Sequence, residues 1–198
     1  MAAKRTSKIK RKTRETDISL SLTLDGTGKY DVSTDIGMLD HLLESLARHA
    51  LFDLKVKATG DIDRDPHHLV EDVGLVLGQA LDQALGERRG ITRFGSAIIP
   101  MDEALAMVAV DLGGRPHASV DLEFGRDMIG QLPSEDIAHT LEAFAQEGRL
   151  NLHVRLLAGD NDHHIAEAAF KGLSRALRAA VAIDSRALDK VPSTKGVL

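Results

Sequence analysis

The sequence predicts an α+β protein built from two copies of one unit that share a single core. The stretches beginning at Asp40 and Ala138 match each other, since each has a His, a helical pattern, a short alternating run, a Gly-Asp turn, a His-His pair and a long helical pattern. The first His precedes the pair by 26 residues in one copy and by 24 in the other. The chain has 198 residues, 43% of them hydrophobic, which is enough apolar material for one sizeable core.

The first copy is defined by alternation, leucine spacing and turn residues. Alternating apolar residues over 16–24 predict a strand, and the Gly26 to Gly28 turn leads into a second strand. Pro66 is suited to opening a long helix. The predicted elements are strands over 16–24, 29–33 and 51–58, and helices around Leu39 to Leu46 and over 67–85.

The second copy repeats this order, so the predicted unit is strand, strand, helix, strand, helix. Ser134 is the expected N-cap of its first helix, and Asp160 or Asn161 caps its last helix, which reaches about residue 182. The predicted strands cover 105–112, 117–124 and 150–158, and the first helix ends at 147. One domain over 15–198 then contains repeats at about 15–95 and 96–183 and an extended tail over 184–198.

Residues 1–14 carry seven basic residues and no acid, which leaves 18 basic and 30 acidic residues, a net charge of −12, in the rest. Such an arm could touch nucleic acid or resemble a transit peptide, but a disordered, solvated arm is favoured. The acidic body and only 3% aromatic residues argue against a nucleic-acid partner. No apolar run approaches the roughly 18 residues that a membrane span needs, and no secretory signal is present. We therefore expect no membrane partner and a cytoplasmic location.

Histidine is the chemically informative residue, because there are nine copies and no cysteine. Six occupy matched places in the repeats, and each His-His pair is followed by Glu, as HHLVE and HHIAE. On a helix these three residues lie near one face, while adjacent histidines point about 100° apart and can serve two metals. Two shells of four ligands are predicted from His41, His67, His68, Glu71, His139, His163, His164 and Glu167. We treat His49, His117 and His153 as ordinary.

The metal is not fixed by this spacing. Imidazole and carboxylate without thiolate suit Mn, Fe, Zn, Co or Ni, and a catalytic site with open positions favours Mn or Fe. Acidic residues in the loops before the pairs could orient the imidazole rings, although caps and turns are the favoured role for most of them. They are Asp61, Asp63, Asp65, Asp160 and Asp162.

The repeats differ at Lys171, which stands four residues after Glu167 where the first copy has Leu75. A cation beside a metal shell suggests an anion between them, such as a phosphate ester, and a solvated Glu-Lys pair is an equally good reading. Further candidate anion contacts are Arg93, Arg115, Ser193 and Lys195. No phosphate-binding glycine loop indicates a nucleotide.

These residues resemble the imidazoleglycerol-phosphate dehydratase family from about residue 14 to 195. The resemblance rests on RETDISLSLTLDGTG, DHLLESLARHALFDL, both His-pair motifs, FGSAIIPMDEALA, DLGGRP and PSTKG. It implies a lyase of histidine biosynthesis that dehydrates D-erythro-imidazole glycerol phosphate to imidazole acetol phosphate. It also implies a single dehydratase domain with the helices between two four-stranded sheets, as in the second domain of ribosomal protein S5.

The resemblance further assigns roles to the candidate residues. Two Mn²⁺ ions per active site are implied, held by the eight ligands above and acting through a dimanganese-bound imidazolate intermediate. Arg93, Arg115, Lys171, Ser193 and Lys195 are implied as substrate and phosphate contacts, the last two in the tail. Glu15 and Glu167 are the acid/base candidates. Trimers that metals link into a 24-subunit homo-oligomer are also implied, with active sites between subunits.

Two rival readings of the residues remain. A dinuclear metallohydrolase would explain the His, the Glu and an anion site, but such sites usually include a bridging carboxylate. A non-catalytic shell protein assembled by metals would explain the duplicated ligands, although it leaves Lys171 and PSTKG without a role.

Overall fold

The computed structural model describes residues 5–198. Its first sheet has the strand order β1-β2-β4-β3, with neighbours antiparallel except for the parallel pair β3 and β4. The four strands are β1 (Thr6–Lys12), β2 (Thr16–Thr23), β3 (Tyr30–Ser33) and β4 (Asp53–Gly60).

The second sheet repeats this topology, with the order β5-β6-β10-β7 and one parallel pair, β7 and β10. Its strands are β5 (Phe94–Met101), β6 (Ala104–Asp111), β7 (His117–Asp121) and β10 (Asn151–Ala158). A two-stranded hairpin of β8 (Met128–Ile129) and β9 (Leu132–Pro133) precedes the next helix.

Four helices form two layers between the sheets. They are α1 (Gly37–Ala50), α2 (His67–Leu85), α3 (Ser134–Glu147) and α4 (Asp162–Ala180). Helices α1 and α2 lie against the first sheet, α3 and α4 lie against the second, and α1 packs on α4 while α2 packs on α3. This confirms the duplicated α+β fold with helices between two four-stranded sheets.

The core follows from alternation in the strands and from the apolar faces of the helices. On β2, Ile18, Leu20 and Leu22 are buried while the residues between them face outward. Helices α2 and α3 approach closely at two glycines. A Cβ at Gly74 would lie 2.6 Å from the Thr140 carbonyl oxygen, and one at Gly78 would lie 2.5 Å from that of Phe144. These glycines therefore set the distance between the two helices.

The prediction of a disordered arm over residues 1–14 is wrong for most of that segment. Strand β1 pairs antiparallel with β2 along its whole length, from Thr6 opposite Thr23 to Lys12 opposite Asp17. Every second residue of β1 faces inward, where the Ser7 hydroxyl donates to the Ala80 carbonyl oxygen at 2.7 Å. Residues 1–4 of the predicted arm lie outside the described residues.

The five-element unit and its boundary also need correction. Strand β5 was not predicted, and with β1 it makes each repeat strand, strand, strand, helix, strand, helix. A boundary between residues 95 and 96 would cut β5, so the second repeat begins at Phe94 and the first at Thr6. The tail over 184–198 is tethered, since Gly90 donates its backbone N–H to the Lys190 carbonyl oxygen at 2.9 Å.

The predicted helix caps have mixed outcomes. Asn161 caps α4 by accepting hydrogen bonds from the backbone N–H groups of His163 and His164, as one of the two predicted alternatives. Ser134 does not cap α3. It is the first residue of that helix, and its hydroxyl donates to the Arg126 carbonyl oxygen at 2.7 Å.

Within residues 5–198, none of the helices combines the length and the apolar character that crossing a membrane requires.

Candidate active site

Three of the predicted ligands meet where α1 packs on α4. Their donor atoms all lie within 4.8 Å of one another, and we call His41, His163 and Glu167 the first donor cluster. Oε1 of Glu167 lies 3.7 Å from His41 Nε2, and Oε2 of Glu167 lies 3.6 Å from His163 Nε2. His41 Nε2 is buried and has no hydrogen-bond partner among the described residues, so a polar atom points into the cluster unsatisfied.

Lys171 adjoins this cluster. Its ammonium group donates to Glu167 Oε1 at 2.8 Å and lies 3.2 Å from the sulfur of Met101. Burial alone would raise the pKa of Glu167, but the Lys171 hydrogen bond and the nearby positive charges outweigh it, so the pKa is lowered. Glu167 is therefore ionised at neutral pH, in the form that binds a metal.

The matched residues of the other helix pair form a second, more open group. The His67 and His139 rings lie 5.3 Å apart edge to face where α2 packs on α3. Glu71 and His139 line one cavity of about 360 Å³, together with His117. We call His67, Glu71 and His139 the second donor cluster. Each cluster takes its single His from one repeat and its His-Glu pair from the other.

The second His of each pair points away from these clusters toward an acidic partner. His68 Nδ1 lies 3.3 Å from Asp61 Oδ1, and His164 Nδ1 lies 2.7 Å from Glu103 Oε2. The hydrogen bond between His164 and Glu103 raises the pKa of His164 and lowers that of Glu103 to about 2. Within one chain, neither His68 nor His164 joins a described group of three close donors.

The candidate anion contacts other than Lys171 line one cavity of about 260 Å³. They are Arg93, Arg115, Ser193 and Lys195. The guanidinium of Arg93 is already engaged, because it holds both carboxylate oxygens of Asp111 at 2.7 and 3.0 Å and the Pro192 carbonyl oxygen at 2.7 Å. The bond to Asp111 raises the pKa of Arg93.

Two charges in this cavity remain available. The side chains of Arg115 and Lys195 form no ion pair with any of residues 5–198. Arg93 therefore fixes the tail through Pro192, while Arg115 and Lys195 present the positive charge.

Glu15 lies in the exposed turn between β1 and β2, not within a strand. The backbone N–H of Glu15 donates a hydrogen bond to Thr13 Oγ1 at 3.0 Å, and the carbonyl oxygen of Glu15 accepts one from the backbone N–H of Asp61 at 3.1 Å. Since Asp61 contacts His68, Glu15 adjoins the loop that holds His68. Its cavity, of about 380 Å³, shares no lining residue with the cavity around Arg115.

Two carboxylates within hydrogen-bond distance of predicted ligands were missed from the sequence. Asp136 Oδ1 lies 2.6 Å from His67 Nδ1, and Glu103 contacts His164. Neither belongs to the duplicated motif or to the loops before the His pairs. Of the loop acids that were considered, Asp61 contacts the ring of His68, while Asp65 accepts a hydrogen bond from the backbone N–H of His67, the first residue of α2.

Comparison with known proteins gives the same family throughout. The sequence profile described as imidazoleglycerol-phosphate dehydratase matches residues 34–177. The protein of that name from Roseiflexus sp. (strain RS-1) is 56% identical over 197 residues, covering 100% of this chain and 99% of the relative. Its counterpart from Dehalococcoides mccartyi (strain CBDB1) is 55% identical over 98% of both chains.

Solved structures with the same fold carry the same name. The crystal structure of the Pyrococcus furiosus enzyme in complex with (S)-C348 has a TM-score of 0.83 and 40% identity, covering 96% of this chain and 100% of that one. The Staphylococcus aureus enzyme has a TM-score of 0.82 and 32% identity, covering 90% and 99%. The protein is thus an enzyme of the hydro-lyase class, which removes water from its substrate. It belongs to the imidazoleglycerol-phosphate dehydratase family.

Proposed function

We propose that this protein dehydrates D-erythro-imidazole glycerol phosphate to imidazole acetol phosphate and water, as a step of histidine biosynthesis in the cytoplasm. The observation that carries the proposal is the first donor cluster with Lys171 beside it. Neutral imidazoles and one carboxylate suit a metal that accepts an azole ring, and the lysine supplies a charge for an anionic group. Family membership supplies the particular substrate.

The donor atoms fit a divalent metal. His41 Nε2 is a buried donor without a partner, and Glu167 is held in its ionised form. The first cluster would hold one ion and the second cluster the other, with His68 and His164 completing the two shells. Two Mn²⁺ ions per active site would supply Lewis acidity and a template for the imidazole ring of the substrate.

The side chains of the chain would carry the remaining tasks. Lys171 would bind the substrate once a cation in the first donor cluster competes for Glu167. Arg115, Ser193 and Lys195 would bind the phosphate in the cavity that Arg93 shapes by fixing the tail. Glu15 is the freer proton carrier, because it lies exposed in its turn while Glu167 already contacts two imidazoles and Lys171.

One chain divides the required groups among separate places, which supports active sites that are shared between several copies. Glu15, the Glu71 and His139 side chains of the second donor cluster, and the phosphate contacts line three different cavities. A neighbouring copy that brings its His68 or His164 to a donor cluster would complete a shell of four ligands. We therefore propose a homo-oligomer of trimers joined by metal into a 24-mer, with active sites between subunits.

The direct test is incubation of the chelator-treated protein with Mn²⁺ and imidazole glycerol phosphate. We expect the ketone product, detected through its enolate absorbance in alkali, only when Mn²⁺ is restored. Parallel samples with Zn²⁺, Co²⁺ and Mg²⁺ identify the metal that supports turnover, and metal analysis of the untreated protein identifies the one it carries.

The same assay separates the rival readings. Release of inorganic phosphate without the ketone would identify a metallohydrolase. Full metal loading with neither product would identify a shell protein, and either result contradicts the proposed dehydration. Mass measurement with and without chelator reports the assembly, which we expect to become smaller when the metal is removed.

A further inference from the structure

Asp136 breaks the symmetry between the two donor clusters. It stands three residues before His139, and the matched position in the first repeat, three before His41, is Met38. Both side chains are buried in the first turn of their helices, with 1% exposure for Asp136 and 8% for Met38. A buried carboxylate therefore occupies a position where the other repeat has an apolar side chain.

This carboxylate bonds to a predicted ligand. Asp136 Oδ1 lies 2.6 Å from Nδ1 of His67, which belongs to the facing helix α2. The side chain of Asp136 is 2% exposed, and its Oδ2 atom is buried with no hydrogen-bond partner among the described residues. A carboxylate in such a place is costly to bury, so a single strong bond to His67 is a feature that needs a functional reason.

The bond determines which nitrogen of His67 is free. A carboxylate accepts hydrogen bonds, so the tautomer of His67 that fits this contact carries its proton on Nδ1 and donates it to Asp136. In the neutral ring Nε2 is then the deprotonated nitrogen, which is the form that binds a metal. The location of Asp136 in the first turn of α3 also suits a carboxylate, since the helix dipole stabilises negative charge there.

His163, the matched residue of the first donor cluster, has no such partner. In the part of the chain that the structure describes, no side-chain hydrogen bond fixes its ring, and its closest acidic neighbour is Glu167, the ligand of its own cluster. His68 and His164 each have an acidic partner at Nδ1, so His163 is the exception among the four paired histidines.

We propose that Asp136 is a positioning residue that holds the His67 ring with Nε2 presented as a ligand, and that it thereby strengthens metal binding at the second donor cluster alone. The proposal rests on the proposed function only in taking the two clusters as metal sites. Such outer carboxylates orient ligating imidazoles and typically change metal affinity by about 10 to 100-fold.

The test is Mn²⁺ binding to the metal-free protein, followed by electron paramagnetic resonance without substrate. Asp136→Met copies the first repeat, and we expect it to weaken one of two classes of bound Mn²⁺ by about 10 to 100-fold while leaving the other unchanged. Asp136→Asn keeps an acceptor oxygen and should weaken the same class by a smaller factor. Met38→Leu is the matched control and should leave both classes as in the wild type.

A purely structural role for Asp136 gives a different result. Unchanged binding in both classes, or equal weakening of both, would overturn the proposal, and Asp136→Asn provides the same decision if Asp136→Met does not fold. Nitrogen NMR of the metal-free protein adds a second readout, since the proposal requires Nδ1-protonated His67 in the wild type and loss of that tautomer in Asp136→Met. Neither measurement involves turnover, so a protein that fails the dehydration assay can still pass this test.

Discussion

Lys171 stands where the first repeat has Leu75, and its ammonium group already bonds to Glu167 at 2.8 Å. Both readings of the sequence, an ion pair and a cation beside a ligand, therefore describe the same contact. Which of them matters for function depends on whether a metal in the first donor cluster competes for Glu167. The residue is one-fifth exposed, so a substrate can reach it.

Replacing this lysine tests its role. Lys171→Leu should lower kcat/KM by roughly 10 to 100-fold, the equivalent of one lost charge-assisted hydrogen bond, with metal content unchanged. Steady-state kinetics and metal analysis are the measurements. Lys57→Leu, on the exposed face of the first sheet, is a control that should behave as the wild type. Wild-type kinetics in Lys171→Leu would leave the lysine with the ion pair as its sole role.

Glu15 lies in a turn that its own backbone hydrogen bonds hold in place, so its side chain can change without moving the chain. Glu15→Gln should therefore keep metal content and assembly mass while kcat falls by about 10² to 10⁴-fold, the usual contribution of a general acid or base. Turnover close to that of the wild type would show that the proton carrier is another group.

The grouping of the first donor cluster was predictable from the sequence because helical spacing alone brings His163 and Glu167 to one face and duplication doubles the signal. The carboxylate partners of His67 and His164 were not. Asp136 is 69 residues from His67 and Glu103 is 61 residues from His164, so only the packing of helices and hairpins brings them together. No local pattern in a single sequence marks such a contact.

At the scale of elements, β1 shows how a charge pattern can conceal a strand. Three of its four exposed positions are lysines, which gave the segment the composition of a solvated arm, while Ser7 and Ile9 face the protein interior. Arg11 anchors the end of the strand by donating to Asp72 Oδ1 of α2 at 2.9 Å, and the Thr16 hydroxyl donates to Oδ2 at 2.5 Å. Asp72 thus ties the two strands that flank Glu15 to the helix that carries Glu71.

The close approach of α2 and α3 gives a second test at this scale. Gly78→Ala would place a Cβ 2.5 Å from the Phe144 carbonyl oxygen, so the helices must separate. We expect a net loss of stability of up to about 2 kcal/mol, because an overpacking cost of about 1 to 3 kcal/mol is only partly offset by the gain of about 1 kcal/mol from helix propensity.

Urea unfolding of the metal-free protein measures this loss. Gly37→Ala is the matched control, since a Cβ there meets nothing within 4 Å, and it should not destabilise. An alanine at position 78 that leaves stability equal or higher would mean that the helices adjust without cost.

The turn between β2 and β3 supplies a pH-dependent test. Asp53 Oδ1 accepts hydrogen bonds from the backbone N–H groups of Thr27 at 2.7 Å and Lys29 at 3.1 Å, the first of which contributes most to lowering the pKa of Asp53. A lowered folded-state pKa stabilises the protein above the unfolded value, near 3.9, and that contribution disappears as pH falls through the folded value. Asp53→Ala should therefore be less stable than the wild type by roughly 1 to 2 kcal/mol at pH 7.

Urea unfolding at several pH values checks this sign. The difference between Asp53→Ala and the wild type should stay constant from pH 7 to about 5 and shrink below about 4. A difference that grows toward acid pH would contradict the role of the carboxylate.

At the scale of the whole molecule, the outer faces of the two sheets differ in character. The first exposes the lysines of β1 and β4, whereas the second exposes Phe94 and Ile98, 57% and 59% accessible, on β5 and Leu157 on β10. Large apolar side chains clustered on an exposed sheet mark an interaction surface, which suits the proposed homo-oligomer.

A charge on that face should disrupt the assembly. Ile98→Lys is expected to reduce the mass measured by light scattering to that of a smaller species, because burying an unpaired ammonium group opposes association. Ser19→Lys adds the same charge to the outer face of the first sheet and should leave the mass unchanged. An unchanged mass for Ile98→Lys would place the subunit contacts on another surface.

Most of the architecture could be predicted from the sequence, since duplication and periodicity located all four helices and six of the eight strands of the two main sheets. The two that were missed, β1 and β5, are the first strand of each repeat and one of the two edge strands of each sheet. Edge strands have one unpaired side and exposed side chains, so their apolar alternation is weaker than that of the central strands.

The exchange of residues between the repeats has a consequence for the symmetry of the chain. Each cluster combines one His from the first helix of one repeat with the His-Glu pair from the last helix of the other, as the arms of two identical subunits would. The present chain therefore has the geometry of a symmetric dimer of half-length units that are joined in one polypeptide. The two halves nevertheless differ, since Asp136 and Lys171 stand where the first repeat has Met38 and Leu75, and a dimer of identical half-length chains cannot have such an asymmetry.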